Sequence, residues 1–147
     1  MKTQNKLKIL FMCTRNACRS QMAEGFAREL RGDLLEPYSA GVLPHRVLAE
    51  TVEVMKEAGV DISKQQSKHV DALKRVAFDY VVTLCGGALE ACPLFSGKAK
   101  VLHVPFDDPP VLALSARTRE EALGHYRRVR DEIRAFVETL PQALENR

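Results

Sequence analysis

Short apolar segments alternate with segments of helical periodicity along this chain, and the alternation restricts the possible folds more than any other feature of the sequence. Strands separated by helices form the repeating unit of parallel sheets. The apolar segments predict four strands, at residues 7–13, 35–42, 78–85 and 100–106. Helical spacing predicts helices at residues 20–32, 45–60, 67–76 and 118–140. We therefore predict an α/β fold with a four-stranded parallel sheet, flanked by helices on both faces, in which the first and third strands are central.

Length and charge fit a single domain that spans residues 1–147. The net charge of +3 comes from basic residues interleaved with acidic ones, which is typical of a solvated surface rather than of a nucleic-acid interface. No apolar segment approaches the roughly 20 residues that span a bilayer. The short apolar segment near the N-terminus favours a strand over a signal peptide. We expect a cytoplasmic monomer that binds neither nucleic acid nor membranes.

The segment "CTRNACRS" follows the first apolar run and opens the first predicted helix. Main-chain N–H groups of such a turn, together with the helix N-terminus, bind a tetrahedral oxyanion. Arg19 adds a planar pair of donors, and Ser20 is placed to donate to the sulfur of Cys13. The same positive field favours a thiolate at Cys13, which would attack the central atom of the bound anion. The predicted oxyanion loop consists of Cys13, Thr14, Arg15, Asn16, Ala17, Cys18, Arg19 and Ser20.

The alternative interpretation of this loop is a buried cysteine and a surface arginine at a chance spacing. Cys-x5-Arg is a loose pattern by itself, and the strand–loop–helix position together with the following serine favours the oxyanion site. We expect Cys18 to be a small packed side chain and Arg15 to face solvent.

An acidic pair follows the last predicted strand in "VPFDDPP". Asp108 is placed to protonate the oxygen that leaves the central atom, and Asp107 is expected to fix the loop through a hydrogen bond. The alternative is an ordinary Asp-Asp-Pro turn. The position after a strand, which Cys13 shares, favours the functional interpretation.

Two further cysteines, in "VVTLCGGALEACP", indicate redox chemistry, since a phosphatase needs one thiol only. Cys85 and Cys92 would be roughly 10 Å apart on an intact helix, beyond the roughly 7 Å that a disulfide spans between Cα atoms. Gly86 and Gly87 would allow this segment to unwind so that the two thiols meet. Two inert cysteines are an alternative, and the spacings fit a zinc site poorly.

The motifs "FMCTRNACRSQMAEG", "YSAGV", "VVTLC" with the later "CP", and "FDDPP" with the later "YRRVRDEI" resemble the thioredoxin-coupled arsenate reductases. These enzymes share the fold of the low-molecular-weight protein tyrosine phosphatases. The resemblance implies that Cys13 attacks arsenate, that Arg19 and the loop amides hold it, and that Asp108 protonates the departing hydroxide. Cys85 would then attack Cys13, Cys92 would attack Cys85, and thioredoxin would reduce the Cys85–Cys92 disulfide. It implies no cofactor.

The sequence departs from this family at one point. Some members bind potassium near the loop through an Asn, a Glu, a Ser and an Asp, and Asn16, Glu24 and Ser39 match the first three. Lys68 stands at the position of the Asp. Its ammonium would take the place of the cation, so we expect no bound metal and no dependence on potassium.

Two other functions remain possible on the sequence alone. A phosphatase would use Cys13, Arg19 and Asp108 but would leave Cys85 and Cys92 without a role. The segment after "FDDPP" also lacks the tyrosine that follows Asp-Pro in the eukaryotic phosphatases. A module that senses arsenite or zinc through its thiols would leave Arg19 and Asp108 unexplained.

Overall fold

The computed structural model describes residues 5–86 and 97–145. Its single sheet has four parallel strands in the order β2-β1-β3-β4, which confirms the predicted fold class and the two central strands. The strands are β1 (Leu7–Met12), β2 (Leu35–Ala40), β3 (Tyr80–Thr83) and β4 (Lys100–His103). Each lies inside its predicted segment and ends at the same edge of the sheet.

The principal helices are α1 (Arg19–Arg31), α2 (Ala49–Glu57) and α4 (Arg119–Glu138). Two short helices, α3 (Pro109–Leu112) and α5 (Gln142–Glu145), were not predicted. Two turns of 3-10 helix lie at Val70–Leu73 and Ala113–Ser115. Within the described part of the chain, no helix is long and apolar enough to cross a membrane.

The prediction of a helix over residues 45–60 was wrong at its start, because α2 begins at Ala49. Leu48, just before the helix, is extended, and the residues from His45 are not helical and bind the loop that follows β1. The main-chain N–H of His45 donates to the carbonyl oxygen of Arg15 at 3.3 Å, and that of Leu48 donates to Ala17 at 3.2 Å. These tertiary hydrogen bonds replace the first turn of the predicted helix.

The two faces of β1 are buried by different parts of the chain. Ile9 and Phe11 point into the larger core with α1 and α4, whereas Leu10 and Met12 point into a smaller core on the other face. All four side chains are fully buried, as the alternation of a central strand requires. The second face is covered around the 3-10 turn at Val70–Leu73, where a helix over residues 67–76 was predicted. That helix is short because Lys68 and Gly41 use their main-chain groups to join the turn to β2.

Candidate active site

Residues 13–18 connect β1 to α1, so the predicted oxyanion loop lies at the carboxyl edge of the sheet. Ligands of open α/β sheets bind at this edge. Asn16, inside the loop, has a φ of 51°, in the left-handed region that asparagine tolerates better than most residues. This conformation turns the main chain within the loop, between Cys13 at its start and Arg19 at the beginning of the helix.

The sulfur of Cys13 lies 2.9 Å from the hydroxyl oxygen of Ser20, so the predicted contact is present. Asn16 donates from Nδ2 to the same hydroxyl oxygen at 2.7 Å. Cys13, Asn16 and Ser20 are all buried. A hydroxyl that donates to sulfur stabilises the charged form of the thiol, and low water access strengthens that interaction.

Arg19 joins the ends of three strands. Its Nη1 donates to the carbonyl oxygens of Leu84, at 3.3 Å, and Phe106, at 3.1 Å. Leu84 follows β3 and Phe106 follows β4, while Arg19 itself belongs to the helix that follows β1. The guanidinium is nearly inaccessible to water, and its Nε lies 3.5 Å from Oδ1 of Asp108. These contacts fix a rigid cation beside the oxyanion loop.

Asp108 is the last residue before α3, and Pro109 occupies the first turn of that helix. Its side chain is 30% exposed, so the carboxyl group is accessible at the same edge as Cys13. Asp107 accepts a hydrogen bond at Oδ2 from Nη2 of Arg128, at 2.9 Å, which confirms the predicted hydrogen bond. Since Arg128 belongs to α4, the longest helix anchors the loop that carries Asp108.

Cys85 lies beyond the end of β3, next to the strand that leads into Cys13. Met12 and Thr83 are paired in register, and the N–H of Leu84 donates to the carbonyl oxygen of Met12 at 2.8 Å. Adjacent strands lie about 4.7–4.9 Å apart, so the chain brings Cys85 to the side of the oxyanion loop. Cys85 is buried. Cys92 and Gly87, with the helical turn predicted between the two cysteines, lie outside the described residues.

The remaining loop residues behave as predicted. Cys18 is buried against the core, and this burial raises the pKa of its thiol far above the ordinary range, while a hydrogen bond with Thr51 opposes the rise. A thiol in that state is a poor nucleophile. The side chain of Arg15 is exposed, and the residue contributes its carbonyl oxygen, which accepts from His45 and from the hydroxyl of Ser67.

Gly41, just after β2, supports the loop from outside. A Cβ atom at this position would lie 2.5 Å from the carbonyl oxygen of Thr14 and 2.8 Å from that of Cys13. The next two N–H groups, of Val42 and Leu43, both donate to Thr14 at 2.9 Å. Only glycine allows the two main chains to approach so closely.

Lys68 occupies the place suggested by the sequence. Its Nζ donates to the carbonyl oxygen of Ser39 at 3.2 Å, and its main-chain N–H donates to Oδ1 of Asn16 at 2.9 Å. Glu24 accepts a hydrogen bond from the hydroxyl of Ser39. Burial lowers the pKa of Lys68, and the Glu24 carboxylate opposes this by favouring the ammonium. An ammonium group among these oxygens does not fit a potassium ion at the same point.

Across residues 5–86 and 97–145, no three His, Cys, Asp or Glu side chains are grouped so that they could hold a metal ion.

Two glutamines behind the loop were missed by the sequence analysis. Gln21 is fully buried in the first turn of α1 and donates from Nε2 to Oδ1 of Asn16 at 2.9 Å. Gln65 donates from Nε2 to Oε1 of Gln21 at 2.7 Å. The one signal for Gln21 was a polar residue directly beside the inward-facing Met22. Nothing in the sequence pattern connects Gln65 with the loop, because their contact depends on the tertiary fold.

The chain is similar to proteins of a known family. The family model of the low molecular weight phosphotyrosine protein phosphatases matches residues 8–147. An arsenate reductase of Halalkalibacterium halodurans is 44% identical over 138 residues, which cover 94% of this chain and 97% of that protein.

Two solved structures have a similar fold. An arsenate reductase in its phosphate-binding state has a TM-score of 0.72 and 31% identity, and the match covers 91% of this chain and 95% of that one. A thioredoxin-dependent arsenate reductase of Corynebacterium glutamicum has a TM-score of 0.66 and 27% identity, over 98% of this chain and 64% of that one. The match over nearly all of the chain shows that it belongs to the low molecular weight phosphotyrosine protein phosphatase family.

Proposed function

We propose that this protein reduces arsenate to arsenite through a relay of Cys13, Cys85 and Cys92, and that a thioredoxin regenerates it. The observation that carries the proposal is the placement of two cysteines after the two central, hydrogen-bonded strands. Arg19, at the end of the loop that begins with Cys13, donates a hydrogen bond to the carbonyl oxygen of Leu84, the residue before Cys85. Its relatives are named arsenate reductases, and one of them is named thioredoxin-dependent.

The first step is attack of the Cys13 thiolate on the arsenic atom of bound arsenate. A sulfur–arsenic bond forms, and one arsenic–oxygen bond breaks. Asp108 gives its proton to the departing oxygen, which leaves as water or hydroxide. Arg19 and the loop N–H groups stabilise the negative charge on the remaining oxygens. Ser20 holds the thiolate of Cys13 in position through the 2.9 Å contact.

The second step moves two electrons. The Cys85 thiolate attacks the sulfur of Cys13, the sulfur–arsenic bond breaks, and its electron pair stays with arsenic, which falls from As(V) to As(III). Arsenite leaves and a Cys13–Cys85 disulfide remains. Cys92 then attacks Cys85, which releases the Cys13 thiolate and forms a Cys85–Cys92 disulfide. A reduced dithiol such as thioredoxin restores both thiols and is itself oxidised.

A relay of free thiols needs a reducing compartment, so we place the enzyme in the cytoplasm. Because phosphate and arsenate have the same shape and charge, the Cys13 site should keep weak phosphatase activity, which the family also suggests.

The direct test is arsenate-dependent consumption of NADPH by the purified protein. One reaction contains thioredoxin and thioredoxin reductase, and the parallel reaction contains glutaredoxin, glutathione and glutathione reductase. We expect turnover with thioredoxin. Phosphatase turnover without arsenate-dependent NADPH consumption in either system would instead favour a phosphatase.

Asp108→Asn should slow the first chemical step by about 10²–10⁴-fold, the usual contribution of a general acid. The amide keeps the size of the carboxyl group but has no proton to give. Single-turnover formation of arsenite at neutral pH measures the step, and phosphate protection against unfolding checks that the site still binds an oxyanion. Asp107→Asn provides the comparison, since Asp107 contacts Arg128 rather than the site. A wild-type single-turnover rate in Asp108→Asn would contradict the assignment.

Replacement of potassium by sodium at constant ionic strength should leave the rate of the wild-type enzyme unchanged. The Lys68 ammonium already donates to the Ser39 carbonyl oxygen that an ion would need. Lys68→Asp removes this group and supplies a fourth oxygen ligand beside Asn16, Glu24 and Ser39. Thermal unfolding and arsenate turnover of this variant in the two salts should therefore differ. A wild-type enzyme that loses activity without potassium would show that Lys68 does not replace the cation.

A further inference from the structure

The hydroxyl group of Ser20 is held by a chain of hydrogen bonds that begins at the protein surface. Within the part of the chain that the structure describes, this hydroxyl contacts two side chains, Asn16 and Cys13. Because Nδ2 of Asn16 can only donate, the serine oxygen accepts from it. When Cys13 is a thiolate its sulfur can only accept, so the serine proton is directed to it. The orientation of the Asn16 amide therefore decides whether the nucleophile has a hydrogen-bond donor.

Main-chain groups fix the orientation of each side-chain amide in this series of hydrogen bonds. Oδ1 of Asn16 accepts from the main-chain N–H of Lys68 at 2.9 Å, so its Nδ2 must face Ser20. Nε2 of Gln21 donates to the carbonyl oxygen of Asn16 at 3.0 Å as well as to its Oδ1. Nε2 of Gln65 donates to the carbonyl oxygen of Gln21 at 3.1 Å and to its Oε1 at 2.7 Å. Carbonyl oxygens only accept, so these contacts leave one orientation for each side chain.

Arg28 is the residue at the surface end of this series of hydrogen bonds. Its guanidinium, which can only donate, binds Oε1 of Gln65, and this directs the Gln65 amide group towards Gln21. Arg28 itself is held by an ion pair with Glu24, at 3.2 Å and one helical turn away. In each hydrogen bond from Arg28 to Cys13, the donor thus lies on the side of the surface and the acceptor on the side of Cys13.

We propose that Gln21 and Gln65 are positioning residues for the nucleophile, because together with the main-chain N–H of Lys68 they hold Asn16 in the orientation that directs the Ser20 hydroxyl proton to Cys13. Both glutamines act through Asn16, which Gln21 contacts directly and Gln65 reaches through Gln21. Their role rests on the proposed function of Cys13 as the nucleophile, and it adds a second layer of residues that controls its reactivity. Reversal of any one amide would place two oxygen atoms against each other or turn the Ser20 proton towards Asn16.

Gln65→Glu tests this polarity. The carboxylate keeps the size of the side chain and its contact with Arg28, but it cannot donate to Gln21. The new carboxylate then lies against Oε1 of Gln21 and competes with Asn16 for the Gln21 amide group, which weakens the hold on Asn16. Gln65→Met removes both contacts without adding charge, so it loosens Gln21 without this competition. Gln66→Glu is the matched control, because it adds the same charge next door on an exposed side chain, and only the Gln66 carbonyl oxygen contacts Gln21.

The measurement is alkylation of Cys13 by iodoacetamide across a pH series, quantified by peptide mapping, with thermal unfolding recorded for each variant. For Gln65→Glu we expect the profile to move to higher pH by about half a unit to one unit, or three- to tenfold slower alkylation on its acidic side. Gln65→Met should move it in the same direction by less, and Gln66→Glu should match the wild type. If Gln65 had a purely structural role, Gln65→Met would shift the alkylation profile more than Gln65→Glu does.

The inference is overturned if the two Gln65 variants keep the wild-type profile, or if Gln65→Glu and Gln66→Glu shift equally, since charge alone would then explain the effect. If Gln65→Glu does not fold, the direction of the Gln65→Met shift decides. Protection of wild-type Cys13 by arsenate tests the proposed function separately. If arsenate does not protect it, the nucleophile assignment fails, whatever the glutamine variants show.

Discussion

Replacement of Cys13 by serine is expected to abolish both arsenate reduction and phosphatase activity. The serine hydroxyl is not ionised at neutral pH, whereas the proposed mechanism begins with a charged nucleophile. The substitution is small, and the surrounding side chains of Asn16 and Ser20 remain to fill the buried site. We expect less than about 1% of the wild-type rate, in line with removal of a nucleophile from an enzyme active site.

Binding without turnover is the control for this variant. Phosphate or arsenate should still raise the temperature of unfolding of Cys13→Ser, because Arg19 and the loop N–H groups are unchanged. Arsenite formation and hydrolysis of a small aryl phosphate are then measured on the same preparation. A variant that retains more than a few per cent of either activity would remove Cys13 from its assigned role.

Cys92→Ser is expected to complete about one turnover and then stop. The steps at Cys13 and Cys85 remain possible, but no thiol is left to resolve the disulfide between them. The enzyme should accumulate as a Cys13–Cys85 disulfide after one equivalent of arsenite is released. Cys85→Ser should stop earlier, before arsenite forms, and should keep phosphatase activity because water can still hydrolyse a phosphocysteine.

Peptide mapping of arsenate-treated Cys92→Ser separates these possibilities. The expected product is one linked pair of peptides that contains Cys13 and Cys85. Wild-type enzyme under the same conditions should give a Cys85–Cys92 link instead. If Cys92→Ser turns over continuously with thioredoxin, or if no Cys13–Cys85 link is found, the relay is wrong and the phosphatase interpretation gains.

The two central strands were predictable because their burial dictates an apolar composition. β1 is central, and from Ile9 to Met12 it is buried on both faces, so its apolar run is continuous there, and the chemistry that follows it falls at one edge of the sheet. Cys13, Arg19 and Asp108 could therefore be assigned to the same edge from the order of elements alone. Cys85 could be added because strands one and three were expected to be neighbours.

Other features depend on contacts between distant residues, which local periodicity does not contain. The start of α2 is displaced because the N–H groups of His45 and Leu48, which precede it, bind carbonyl oxygens of the oxyanion loop, and the helix predicted at residues 67–76 is reduced for a similar reason. The Asp-Pro turn at Asp108 was recognised in the sequence, but the short helix α3 that follows it was not predicted. Gln21 and Gln65, 44 residues apart, acquire their significance only when the fold brings them together.

The glycine at position 41 limits how the loop between β1 and α1 can move. Its main chain lies against the carbonyl oxygens of Thr14 and Cys13 with no room for a methyl group between them, so the loop cannot widen in that direction. Glycine already has the smallest side chain, so substitution by a smaller residue cannot make more room at this position. Redesign for a bulkier oxyanion would have to displace the end of β2, together with the strand pairing that holds it.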